Sequence, residues 1–111
     1  MRILMVENHA VFARTVAGHF LSAHEVDVVP TIARARDQVQ RTRYDAVLVD
    51  YDLDDGKGDQ LVALLVRQRF AGKIVAISAH DDGNDALQRA GASHVCPKGK
   101  FATITAVLEA T

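Results

Sequence analysis

The run Ala46-Val47-Leu48-Val49 ends on Asp50 and is followed at once by Tyr51-Asp52-Leu53-Asp54-Asp55-Gly56-Lys57-Gly58. Four consecutive apolar residues, two of them valine, read as a strand buried on both faces, the condition of a parallel sheet covered by helices. An acid at the carboxyl end of such a strand lies where open parallel sheets place their ligand crevice. A carboxylate there carries a desolvation cost that a cation or hydrogen bonds must offset. The position therefore asks for a metal, a lysine or a covalent task.

Strand-like and helix-like segments alternate along the rest of the chain. Ile3–Val6 is a short apolar run, and Ala10–Leu21 carries Phe12, Val16 and Phe20 at helical steps. Val26–Val29 is a second strand closed by Pro30, with Thr31 placed to cap a helix running to about Arg41. After strand three, Gly58 precedes a helix over Asp59–Phe70, which Gly72 is expected to end. Lys73–Ile77 is strand four and closes on Ser78; Asp81 or Asp82 is placed to cap a helix through Ala90, stopped by Gly91. Ser93–Cys96 is strand five, and Phe101–Ala110 a last helix. Five βα units with short connections predict an α/β fold, a parallel sheet with helices on both faces. Residues 1–111 read as one domain ending on its last helix, so an output domain is expected to be absent or to have been cut away.

Composition narrows the function. A formal charge of −1 gives no overall field for nucleic acid or an anionic membrane, so no direct nucleic-acid binding is expected. No apolar run approaches the ~20 residues that span a bilayer, and the start Met1-Arg2-Ile3-Leu4-Met5-Val6 is too short for a signal-peptide core. A cytoplasmic location without membrane partners is the expectation. The lone cysteine, Cys96, has no disulfide partner and reads as a small core residue.

The strand ends carry the chemistry. Glu7 and Asn8 follow strand one, Asp50 strand three, Ser78 strand four and Lys98 strand five, and in a parallel sheet these ends share one edge. Carboxylates with an amide oxygen can hold a Mg²⁺ that keeps several waters. A hydroxyl and an ammonium can bind phosphoryl oxygens. Asp50 is the candidate nucleophile, since carboxylates form acyl phosphates.

With these residues the chain resembles a response-regulator receiver domain of two-component signalling over essentially its whole length. The motifs are Val6-Glu7-Asn8-His9, Tyr44-Asp45-Ala46-Val47-Leu48-Val49-Asp50, Gly58, Ile77-Ser78-Ala79-His80, Ala90-Gly91-Ala92 and Pro97-Lys98. The resemblance implies a flavodoxin-like doubly wound (βα)5 fold with strand order 2-1-3-4-5. It implies Asp50 as phospho-acceptor from a histidine kinase or phosphotransfer protein, with Ser78 and Lys98 on the phosphoryl oxygens. Glu7, Asn8, Asp50 and the backbone carbonyl of Asp52 would form the Mg²⁺ shell, and His80 would modulate hydrolysis of the acyl phosphate. The domain would be a covalent switch, with at most self-phosphorylation and self-dephosphorylation, acting on an output domain or protein.

The chain departs from the family pattern in four places. Glu7-Asn8 replaces two acids, so the amide at Asn8 is expected to bind Mg²⁺ weakly. Asp54 stands where the family has proline; Asp52, Asp54 and Asp55 are expected to crowd charge around the crevice, Asp52 partly compensating for Asn8. Val95 occupies the switch position, where relatives carry an aromatic ring. The stretch from Ser78 to Gly91 is two residues short, predicting a shortened fourth helix.

Taken singly, Ser78 is a strand terminator, Lys98 a solvated lysine and His80 a loop histidine; their shared register with Asp50 raises them. His9, His19, His24 and His94 have no metal-ligand spacing to one another, and His9 alone lies near enough to modify the site electrostatically. Two alternatives accompany the phospho-acceptor reading. One is a degenerate receiver that binds a partner without phosphate, motivated by Asn8, Val95 and the shortened fourth helix. The other, remote, is a metal-dependent phosphotransfer enzyme of toprim or haloacid-dehalogenase type, motivated by Glu7 and Asp50-x-Asp52.

Overall fold

A computed structural model describes residues 1–111. Five strands form the main sheet: β1 (Arg2–Val6), β2 (Glu25–Val29), β3 (Ala46–Val49), β4 (Lys73–Ala76) and β5 (His94–Val95). All four pairings are parallel and the order is β2-β1-β3-β4-β5. Five helices connect and follow them: α1 (Ala10–Phe20), α2 (Ile32–Arg41), α3 (Gly58–Arg67), α4 (Asp81–Ala90) and α5 (Ile104–Glu109). The architecture is the doubly wound, flavodoxin-like one expected from the sequence. None of the helices is long and apolar enough to cross a membrane.

Side chains alternate across a strand with a period of two, and the core divides accordingly. Leu4, Val6, Val47, Val49 and Ile74 face α2, α3 and α4 through Ala35, Leu61, Val62, Leu65 and Leu87. Ile3, Met5, Ala46, Leu48 and Val75 face α1 and α5 through Ala13, Val16, Ile104 and Leu108. Both faces of β1 and β3 are covered, which is why these strands read as unbroken apolar runs.

Register fixes where the site can be. Val6 pairs with both Val29 and Val49, Val49 with Ala76, and Ala76 with Val95. The ladder continues one residue further, from the amides of Glu7 (2.9 Å to Val29), Asp50 (3.0 Å to Val6), Ile77 (3.0 Å to Val49) and Cys96 (2.8 Å to Ala76). The chain therefore leaves the sheet at one edge on all these strands, carrying Glu7, Asn8, Asp50, Ser78 and Lys98 with it.

Several local expectations need correction. A short antiparallel hairpin, Asp52–Leu53 with Gly56–Lys57, fills the stretch between β3 and α3. Strands of two residues leave no periodicity to read. α3 starts at Gly58 and ends at Arg67, earlier than expected; Arg69 turns the chain with φ 58° while the Phe70 amide bonds Leu65 at 2.9 Å. Gly72 is thus not the helix stop. It passes so close to the Asp45 carbonyl that a Cβ would overlap it.

α4 has ten residues, as do α2 and α3. Only residues 77–80 separate it from β4. Neither Asp81 nor Asp82 caps α4; His80 is the N-cap and the two acids lie in the first turn, where they complement the helix dipole. Gly91, at φ +127°, does stop it. The last segment is a 3-10 turn over Lys98–Thr103 and then α5, of only six residues. Lys73 Nζ closes the end of α5 by donating to the carbonyls of Leu108 at 2.6 Å and of Ala110. Thr31 caps α2 as expected, its Oγ1 accepting from the Arg34 amide at 3.1 Å. Cys96 is a core residue, and burial pushes its thiol pKa up.

Two glycines test this packing in opposite directions. A Cβ at Gly58 would overlap the Asp50 carbonyl, so Gly58→Ala is expected to cost about 1–3 kcal/mol or more. Gly18 lies within α1 with nothing around its missing side chain, so Gly18→Ala is expected to stabilise by about 0.5–1 kcal/mol. Urea denaturation midpoints read both.

Candidate functional site

Glu7 and Asp50, 1% and 4% exposed, stand side by side at the sheet edge, and Lys98 joins them. The Lys98 Nζ lies 2.7 Å from Glu7 Oε2 and donates to Asp50 Oδ2 at 3.0 Å. The contact with Glu7 is an ion pair lying off the axis of a good hydrogen bond. The ammonium also sits 5.0 Å from the centre of the Phe12 ring on α1, an arrangement that favours its charge. Asp50 Oδ1 accepts from the Tyr51 amide at 2.8 Å, and Glu7 Oε1 accepts from the His9 amide at 3.0 Å.

Two carboxylates and one ammonium leave the centre one negative charge in excess. Burial raises the Asp50 pKa; the charge on Glu7 adds to this and the contacts to Lys98 and the Tyr51 amide oppose it. Burial works against the Lys98 ammonium, but Glu7 and Asp50 outweigh it and its pKa is raised. The arrangement is a buried anionic pocket held together by one cation, with more affinity for positive charge than Lys98 alone satisfies.

Asn8 projects from the same edge. Its Nδ2 donates to Asp54 Oδ1 at 3.1 Å, while its Oδ1 is buried with no hydrogen-bond partner. The hairpin acids do not crowd the crevice together as expected. Asp52 pairs with Lys57, whose hydrogen bond holds the Asp52 carboxyl below the usual range, with the charges of His80 and Lys98 helping. Asp54 is the acid that reaches toward the strand-one end. Asp55 points to α2, accepting from the amides of Ile32 at 2.8 Å and Ala33 at 3.1 Å; these bonds outweigh burial and lower its pKa.

Ser78, 3% exposed, is pinned by α4. The buried Asn84 side chain accepts from the Ser78 amide at 2.9 Å and donates to the Ser78 carbonyl at 3.0 Å, completing the pairing that the sheet no longer supplies. Ser78 Oγ accepts from the His80 amide at 3.1 Å, which leaves the hydroxyl proton free. A Cβ at Gly83 would lie 2.6 Å from Ser78 Oγ, so this glycine lets α4 start directly against the serine. The His80 ring is exposed, near enough to Asp52 to affect its carboxyl. Val95 is half-buried and packs against the core on the α2–α4 side.

The structure thus brings Glu7, Asp50 and Lys98 into contact, with Asn8 and Ser78 on the same edge. Asn84 escapes a sequence reading. Its signal is an amide six residues beyond Ser78, and its meaning depends on where α4 begins.

The response regulator receiver domain family matches residues 3–108 of this chain. The transcriptional regulatory protein CutR of Streptomyces coelicolor is 32% identical over 101 residues, covering 88% of this chain and 46% of CutR. CutR of Streptomyces lividans gives the same values; the chain spans about half the length of the curated relatives it matches. Among solved structures, the receiver domain of the sensor histidine kinase PA1611 from Pseudomonas aeruginosa, with magnesium in its active-site cleft, is 24% identical, with a TM-score of 0.87 over 97% of this chain and 93% of that one. A Burkholderia pseudomallei response regulator with a phosphorylated aspartic acid is 20% identical, with a TM-score of 0.84 over 97% of this chain and 66% of that one. The BeF3-activated receiver domain of Klebsiella pneumoniae RstA is 25% identical, with a TM-score of 0.79 over 99% of this chain and 100% of that one.

The charge balance of the centre has opposite consequences for its two sides. Asp50→Asn leaves Lys98 paired with Glu7 and removes one of two adjacent buried anions. It is expected to stabilise the fold by about 1 kcal/mol, a rise of about 4–8 °C in thermal midpoint. Lys98→Met leaves both carboxylates buried without their cation and is expected to cost about 3–5 kcal/mol. Thermal and urea denaturation of both variants check the signs; an Asp50→Asn midpoint below that of the parent chain contradicts the account.

Proposed function

The chain belongs to the response regulator receiver domain family, and from that premise we propose that it is a phospho-accepting domain in which Asp50 takes a phosphoryl group from a histidine kinase or phosphotransfer protein. The observation that carries this reading is the Lys98 ammonium held between Glu7 Oε2 and Asp50 Oδ2 at the carboxyl edge of the sheet. That edge is where an open parallel sheet receives its ligand.

In this reading a carboxylate oxygen of Asp50 forms the new P–O bond as the bond from phosphorus to the donor breaks, giving an acyl phosphate and the free donor. Water attacking phosphorus later returns the carboxylate and inorganic phosphate. Lys98 follows the charge, moving its contact from Asp50 to the phosphoryl oxygens, and Glu7 keeps the ammonium in place as it does so. Ser78 offers its hydroxyl proton to another of these oxygens, its acceptor side already occupied by the His80 amide. His80 and Asp52 stand at the exposed margin, placed to influence the approach of water.

The residues fit a divalent cation. Asn8 Oδ1 is a buried atom without a donor, on the strand-one exit that also carries Glu7. Glu7, Asn8, Asp50 and the backbone carbonyl of Asp52 would hold Mg²⁺. When bound, the ion neutralises charge on the phosphoryl oxygens.

The second reading, a partner-binding module that works without phosphate, is supported by two features of the strand-four and strand-five ends. Ser78 is bonded on both backbone groups by Asn84, and Val95 has no ring to rotate. The two readings part on output rather than on chemistry. Acetyl phosphate with Mg²⁺ is expected to add one phosphoryl group to the intact chain and none to Asp50→Asn, read by mass spectrometry. Folded protein that gains nothing at any Mg²⁺ concentration overturns the first reading, and binding to a partner that beryllofluoride leaves unchanged supports the second.

A further inference from the structure

We propose that His9 is a nitrogen ligand in the cation site of this chain, so that the site selects a transition-metal ion of the Mn²⁺ or Co²⁺ class over Mg²⁺. The inference deepens the reading above and rests on its cation site. Glu7, His9 and Asp50 form the one set of three potential metal-ligating side chains in the chain whose ligand atoms all lie within 4.8 Å of one another. Of the other histidines, His80 stands at the exposed margin beside Asp52, outside this set. His24 bonds the amino terminus at 3.1 Å, His94 meets Ser93 Oγ at 2.8 Å and His19 lies against Phe20.

The spacing suits a shared ion. His9 Nδ1 is 3.0 Å from Glu7 Oε1. Two ligands at right angles, each about 2.1 Å from one ion, stand about 3.0 Å apart. Lys98 holds the opposite oxygen of Glu7, Oε2, and leaves Oε1 facing the imidazole. His9 is the N-cap of α1 but its side chain makes no capping bond, and the ring is 69% exposed. It is not a core histidine with a packing duty. Beside it the buried Asn8 Oδ1 lacks a donor, a second observation pointing to a ligand.

The donor set then decides the ion. Asn8 offers an oxygen without charge, so the site is a poor one for Mg²⁺, whose affinity depends on charged oxygen ligands. Adding an imidazole changes the ranking. Nitrogen ligands strengthen along the first transition row, and a mixed set of carboxylates, amide and imidazole suits Mn²⁺, Co²⁺ and Zn²⁺ better than Mg²⁺.

Calorimetric titration of MgCl₂, MnCl₂ and CoCl₂ into the full chain, free of any affinity histidine tag and at one fixed pH, tests this without a phosphodonor. Wild type is expected to bind Mn²⁺ and Co²⁺ at least about tenfold more tightly than Mg²⁺. His9→Ala, an exposed change whose fold circular dichroism confirms, is expected to lose about tenfold or more for Mn²⁺ and Co²⁺ and less than about twofold for Mg²⁺. Paramagnetic resonance of the Mn²⁺ complex is expected to show imidazole nitrogen coupling in wild type and none in His9→Ala. Absent coupling in wild type, or His9→Ala affecting all ions equally or none, overturns the proposal. Failure of wild type to bind any of the three ions overturns it together with the cation part of the reading above. Failure of acetyl phosphate to label Asp50 in a chain that binds Mn²⁺ through His9 overturns the phospho-acceptor reading alone.

Discussion

Two carboxylates can be buried side by side in a folded chain when a cation stands between them, and in this domain that cation is Lys98. Its ammonium meets Glu7 from the end of β1 and Asp50 from the end of β3, while its own position follows from the turn after β5. Three strands far apart in sequence are thus tied at one point. The sheet register makes the meeting possible, because Val6, Val49, Ala76 and Val95 are paired in line. Electrostatics then makes it necessary, since no other lysine or arginine pairs with either acid. Fold and site are therefore not independent layers: the core places the charges, and one of the charges keeps the core's edge closed.

The site is a local cost, and the places where the chain recovers stability are at the ends of its helices and along the β1–β2 edge. Asp55 bonds two amides at the start of α2, beyond the bond that Thr31 already makes there. Lys73 gathers the last carbonyls of α5, a helix too short to hold its shape by its own hydrogen bonds. Arg2 joins Glu25 and Asp27, and Tyr44 adds a 2.7 Å bond to Asp27. Such contacts near the surface contribute modestly one by one. Each joins segments distant in sequence, so together they hold the frame within which Glu7 and Asp50 can remain close.

What the sequence made legible follows the range of each interaction. Apolar runs report burial directly, so the five main strands and the common edge of Glu7, Asp50, Ser78 and Lys98 could be read in advance. The destinations of the hairpin acids could not. Asp52, Asp54 and Asp55 are near neighbours with the same chemistry, yet they bond Lys57, Asn8 and the first turn of α2 respectively. The hairpin that sorts them has strands of two residues and no pattern of its own. The brevity between Ser78 and Gly91 was visible, but not how closely α4 sits against the end of β4. The close approach of Gly83 to Ser78 permits that packing. Asn84 was silent for the same reason, because its two bonds exist only once α4 has been brought up to the strand end.

Cys96 lies two residues before Lys98, in the strand-five exit that carries the lysine to the edge. It is the single thiol of the chain, 1% exposed, with its Sγ against Thr103 and the Lys100 carbonyl. A buried thiol with a raised pKa is slow to react with alkylating reagents unless its surroundings open. Its labelling rate is therefore a clock for the excursions in which the 96–103 segment opens away from the core. The molecule carries, one turn away from its central cation, an intrinsic reporter of how often that cation lets go.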